Sequence, residues 1–131
     1  MFKIVTFDTD EEGFRTVVKD YQEVALRHLW SLDGNGASSR DVWANVNKAL
    51  MGKSTISRAS IINFLNLMVD EDAVNYIEIT GKGGHRRIYS AKYDEPGTKR
   101  YLAEKIISKL HETWPEATKE TIKAMTKPKT E

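Results

Sequence analysis

One change of period limits what this chain can fold into. Between Tyr21 and Met68 the apolar residues recur three or four positions apart, and beyond Val74 they alternate. Tyr21, Val24, Ala25, His28, Leu29 and Leu32 share one helical face, which predicts a helix over about residues 16–32 with His28 as a satisfied core residue. "DGNG" at 33–36 stops it, because glycine accepts the left-handed cap. In "SSRDVWANVNKAL" Ser38 and Asp41 have capping-box spacing, and Val42, Val46, Ala49 and Leu50 form the expected buried stripe. "MGK" breaks the chain, and a third helix over about 57–70 follows, capped by Ser57 and packed through Ile61, Phe64, Leu65 and Met68. Its opposite side carries Ala59, Asn63, Asn66 and Asp70.

After these helices "VNYIEIT" reads as a half-buried strand, with Ile77 and Ile79 on its inner side. "GKGG" and "HRRIYSA" complete a β-hairpin with Ile88 facing in. "DEPG" closes this unit. Thr98 is the expected cap of a last long helix over 99–113, with Pro115 just beyond it and a short helical piece through Ile122 and Met125. The fold class is therefore mainly α with a small β-hairpin, an α+β chain of 131 residues, about one domain.

Charge is distributed unevenly. Residues 42–69 and 79–93 contain no Asp or Glu but hold Lys48, Lys53, Arg58, Lys82, Arg86, Arg87 and Lys92, leaving 13 bases against 19 acids elsewhere. A basic footprint on an acidic body is a pattern of polyanion binding, even though the formal net charge is only +1. The chain has no cysteine, which removes disulfides and thiolate metal sites and is consistent with a reducing cytoplasm. "MFKIVTFDTDEE" lacks the apolar run of a signal peptide, and the longest apolar region, 61–69, is too short to span a bilayer. A cytoplasmic protein without a membrane partner is expected.

Two glycine motifs carry less than their composition suggests. "GKST" at 52–55 is not a P-loop, because Asn47 stands where the motif needs glycine and a helix precedes it instead of a strand. "GKGG" opens a strand, whereas a dinucleotide loop opens a helix whose amino end attracts pyrophosphate. The three histidines lack the pairing of a helical zinc site, and no carboxylate pair or serine elbow stands out, so no active site and no cofactor are expected. Trp30, Trp43 and Trp114 read as core anchors.

Helix, helix, tight break, helix, hairpin is the order of a winged helix-turn-helix. The stretch 21–93 resembles the penicillinase and methicillin-resistance repressors, a group that includes copper-responsive repressors. "EVALRHLW", "RDVWANVNKAL", "ISRASIINFLNLMVDEDAV" and "RRIYSA" carry the likeness. The resemblance implies a dimeric transcriptional repressor on an operator with dyad symmetry. It puts Ser57, Arg58, Ala59 and Asn63 on the recognition helix, and Lys82 to Arg87 on the wing. The chain departs from the group in several ways. Asp72 stands where glycine is usual. Asn63–Phe64, the only Asn-Phe bond, falls in the recognition helix and not in the C-terminal region. The copper-type cysteine cluster is missing, the C-terminal part is shorter, and the first 15 residues are extra. Proteolytic induction and copper sensing are accordingly not expected. A noncovalent effector of unidentified chemistry or a change in dimer geometry is the alternative.

The expected organisation is an N-terminal arm (1–15), a DNA-binding domain (16–94) and a helical dimerisation segment (95–131). The expected contacts to double-stranded DNA are Lys53, Ser54, Thr55, Ser57, Arg58, Ala59 and Asn63, with Lys82, His85, Arg86 and Arg87 on the wing. The expected homodimer interface is Leu102, Ile106, Ile107, Leu110 and Trp114. A protein-interaction module that never binds specific DNA is the rival expectation.

Overall fold

The computed structural model describes residues 6–81 and 84–128. A 3-10 turn, Gly13–Thr16, precedes α1 (Asp20–Ser31). Then come β1 (Ala37–Ser38), α2 (Ser39–Leu50), α3 (Arg58–Asp70), β2 (Val74–Gly81), β3 (Gly84–Ala91), α4 (Glu95–Thr113) and α5 (Pro115–Thr126). The protein is mainly helical, with a three-stranded antiparallel sheet in the order β1-β3-β2.

The caps explain most helix boundaries. Ser38 accepts from the Asp41 N–H at 3.2 Å while Asp41 reaches back to the Ser38 N–H, the reciprocal capping expected from spacing. Ser57 accepts from the Ser60 N–H at 3.1 Å and starts α3. α1 begins at Asp20, later than periodicity predicts, because the Gln22 side chain accepts from the Lys19 N–H at 2.8 Å and the preceding residues form the 3-10 turn. Gln22 is buried, and its capping bond satisfies it there. α4 begins at Glu95 and not beyond Thr98. Asp94 accepts from the Gly97 N–H at 2.8 Å, and Pro96 sits in the first turn, where an N–H would have no partner. Thr98 is buried inside that turn and donates to the Asp94 carbonyl. "DEPG" thus opens a helix instead of closing the preceding unit.

The core joins Ala25, Leu26 and Leu29 of α1 to Val42, Val46 and Leu50 of α2 and to Ile61, Phe64, Leu65 and Met68 of α3. It reaches Phe14 upstream and Leu102 downstream, so residues on both sides of 16–94 are part of it. Ala49 is exposed, and His28 is only half-buried, so neither belongs to the core. α1 is rotated so that Leu26 and Gln22, rather than His28, face the interior.

The hairpin corrects the sequence reading of phase. In register, Tyr76 faces Tyr89, Glu78 faces Arg87 and Thr80 faces His85, and the buried pair of positions is Val74 and Tyr89. The inner side therefore holds the even-numbered residues of β2, since side chains alternate along a strand. Ile77 and Ile79 lie on the outer side, at 63% and 38% exposure, and are not half-buried. Ile88 is partly covered because β1, unforeseen in the sequence, pairs Ser38 with Ile88 and Ala37 with Tyr89. Gly36 permits that pairing: a Cβ there would stand 2.2 Å from Ile88 Cγ2.

Past Ile106, α4 leaves the body. Trp114 ends α4 and, with Pro115, starts α5, which packs back on α4. Trp114 is 60% exposed and is not a core anchor, because this break lies beyond the last core residue of the helix. Trp30 and Trp43 do pack against the core. No helix of the described residues is long and apolar enough to cross a membrane.

Candidate nucleic-acid interface

An open cleft of about 890 Å³ lies between the start of α2, the outer side of α3 and the hairpin. Arg40 enters it from α2, Arg58 and Asn66 from α3, and Glu78, His85, Arg86 and Arg87 from the hairpin. Four guanidiniums face two carboxylates, those of Asp41 and Glu78. Outside the cleft every arginine is matched with an acid: Arg15 with Asp20, Arg27 with Glu23 and Glu95, and Arg100 with Glu104. Among the described residues Arg40, Arg58 and Arg86 have no such partner. Converging unpaired guanidiniums make a region of positive potential suited to phosphate groups.

The chain positions these groups through two side-chain amides. Asn47 of α2 brackets Ile56 in the loop before α3. Its Oδ1 accepts from the Ile56 N–H at 2.9 Å, and its Nδ2 donates to the Ile56 carbonyl at 3.1 Å and to the Trp43 carbonyl at 3.0 Å. Trp43 Nε1 donates to the same Ile56 carbonyl at 2.8 Å. Ser57, the cap of α3, comes one residue later, so the start of α3 is thereby fastened to α2. Asn66 holds the hairpin: its Oδ1 accepts from Arg87 Nη1 at 3.0 Å and from the Tyr89 hydroxyl at 2.6 Å. Arginine can only donate, which fixes the amide oxygen toward it. The Arg87 guanidinium also stacks 4.0 Å from the Tyr76 ring centroid. Burial pushes the Tyr89 phenol above its ordinary range, partly opposed by the charge of Arg87.

The residues expected at a DNA surface fall into several groups. Arg58, His85, Arg86 and Arg87 meet in the cleft. Lys53, Ser54 and Thr55 are exposed on the loop leading to α3, and Ala59 and Asn63 are exposed on α3 beside the cleft. The Ser57 hydroxyl is occupied as the cap of α3 and bonds Ser60 Oγ at 2.9 Å. His85 Nδ1 lies 3.1 Å from Thr80 Oγ1 across the hairpin. Lys82 lies outside the described residues. Arg40, Asn47 and Tyr89 were not foreseen. In sequence Asn47 stands out only as the position where a P-loop needs glycine, and no local pattern marks a residue whose partner is nine positions away.

Of the expected dimer residues, Leu102 is buried in its own chain's core, 2% exposed, and Ile106 is half-buried. Ile107, Leu110 and Trp114 are exposed and, with Ile122 and Met125, line an apolar trough of about 470 Å³ between α4 and α5. The chain matches no protein-family model, no curated protein and no solved structure.

Proposed function

We propose that the protein is a sequence-specific DNA-binding transcriptional regulator with a winged helix-turn-helix, a repressor acting as a homodimer on a dyad-symmetric operator. The observation that carries this reading is the convergence of unpaired Arg40, Arg58 and Arg86 beside the exposed, uncharged face of α3 that presents Ala59 and Asn63. In this reading α3 enters the major groove, and the β2–β3 hairpin is the wing. The arginines meet backbone phosphates, and Asn63 reads a base edge. The fastening of Ile56 by Asn47 supports it, since a base-reading helix needs a fixed start.

The trough between α4 and α5 supports the second half of the proposal. Two helices cannot cover an apolar groove that runs between them, and a second copy of the chain supplies the missing face. A dimer is also what dyad symmetry in an operator requires.

Selection of bound sequences from a random duplex library, followed by titration on selected and scrambled duplexes, tests the proposal. The expected result is an inverted repeat bound far more tightly than scrambled DNA, with affinity falling steeply as salt rises. Equal, weak binding to every duplex would favour a second reading, a protein-interaction module. The outward apolar side chains of Ile77 and Ile79 favour that reading, because they offer a hairpin face to a protein partner.

A further inference from the structure

We infer that Asn66 is a positioning residue that sets the angle between α3 and the hairpin, and that Arg87 is the strut it holds and not a phosphate contact. The proposal deepens the DNA-binding reading, on which its second measurement rests. Arg87 and Arg86 are adjacent and look equivalent in sequence, but alternation sends them to opposite faces of β3. Arg86 is exposed and has no ion-pair partner among the described residues. Arg87 is partly covered, bonded to Asn66 and laid over Tyr76. Its guanidinium plane is thus engaged both at its edge and on its face.

The hairpin needs such a strut. Beyond Val74 the rest of β2 is exposed, and on β3 Tyr89 is the buried residue. β1 pairs with β3 only at Ile88 and Tyr89, so the part of the hairpin beyond them has no third strand. The side-chain hydrogen bonds that tie it to α3 run to the one amide oxygen of Asn66, which accepts from both Arg87 and Tyr89. Asn66 lies one turn beyond Asn63 on the same helix, so the side chain that aims the hairpin sits next to the proposed base reader. Arg86 is placed relative to α3 by this joint.

Amide hydrogen exchange on the full chain without DNA tests the joint. Asn66→Ala and Arg87→Ala should each speed exchange of the β2 and β3 amides by about tenfold, the loss expected for one charge-assisted hydrogen bond. The double variant should lose less than the sum of the single losses, because both changes remove the Asn66–Arg87 bond while each also removes a contact of its own, to Tyr89 or to Tyr76. Asn66→Asp, which keeps the acceptor, should retain protection, and Arg86→Ala should change nothing. Unaltered protection in Asn66→Ala, or additive losses in the double variant, overturns the proposal. Salt titration on duplex DNA supplies the second measurement. Arg86→Ala should flatten the salt dependence by roughly 0.9 log units, whereas Arg87→Ala should weaken binding and leave the slope intact. Equal flattening by both makes Arg87 a phosphate contact and overturns the strut. Wild-type protein that binds no duplex sinks the DNA reading, and hydrogen exchange still decides the joint.

Discussion

Asn47 grips Ile56 at both its N–H and its carbonyl, joining the last turn of α2 to the residue before the cap of α3. With Trp43 bonded to the same carbonyl, side chains hold the later part of the turn between the two helices, whose first part is closed by the Lys53 N–H donating to the Leu50 carbonyl.

Asn47→Ala should therefore destabilise the fold by about 1–3 kcal/mol, because it leaves the partly buried polar groups of Ile56 short of partners. Trp43→Phe should cost less, since Asn47 still serves the carbonyl. Urea midpoints of the three proteins check this, and an Asn47→Ala variant as stable as wild type would show the bracket to be incidental.

Met51 ends α2 in the left-handed conformation, at φ 52°, with its side chain 82% exposed. A Cβ is unfavourable there and no packing is lost on removing it, so Met51→Gly should stabilise the protein by about 0.5–1 kcal/mol. Thermal unfolding of the pair measures the sign, and a lower midpoint for the glycine variant refutes the prediction.

Tyr89 predicts an alkaline limit to stability. Burial favours the neutral phenol, so the folded chain keeps this proton to higher pH than the unfolded chain, whose ordinary value is 10.0. The contribution is complete below that value and is lost as pH rises through the folded one. Tyr101 shifts the same way, again through burial. Lys92 and Lys105 are raised by their hydrogen bonds to Asp72 and Glu71 and lose their contributions above 10.5. Tyr89→Phe should lower stability by about 1 kcal/mol at neutral pH and make the alkaline decline shallower. An equally steep decline in the variant would assign the titration to other groups.

The trough between α4 and α5 should be an interface. Leu110→Glu puts a charge among Ile107, Trp114, Ile122 and Met125, and burying it unpaired in a dimer is costly. Sedimentation equilibrium at micromolar concentration should show a dimer for wild type and a monomer for the variant. A wild-type monomer removes the basis of the prediction.

Asn63→Ala should erase preference at one base position per half-site, a loss of about 1–3 kcal/mol of discrimination, with the salt slope nearly unchanged. Parallel titrations on selected and scrambled duplexes decide it. Equal weakening on both would mean that Asn63 reads no base.

Much of the fold was legible because it rests on short-range rules. Apolar spacing and a serine three residues from an amide locate α2 and α3, since helical periodicity and capping act within a turn. The loop "GKGG" between two alternating runs located the hairpin for the same reason. The basic windows were visible as composition. Tertiary structure decided which side of β2 faces inward, because alternation defines two faces and only packing chooses between them. It also decided which arginines are available. Arg86 and Arg87 share one sequence context, but Asn66, 21 residues from Arg87, engages only one of them. Arg100 is matched within one helical turn, but Arg27 with Glu95, Lys92 with Asp72 and Lys105 with Glu71 pair across long stretches of chain, so only three-dimensional proximity separates such cations from the unmatched Arg40, Arg58 and Arg86.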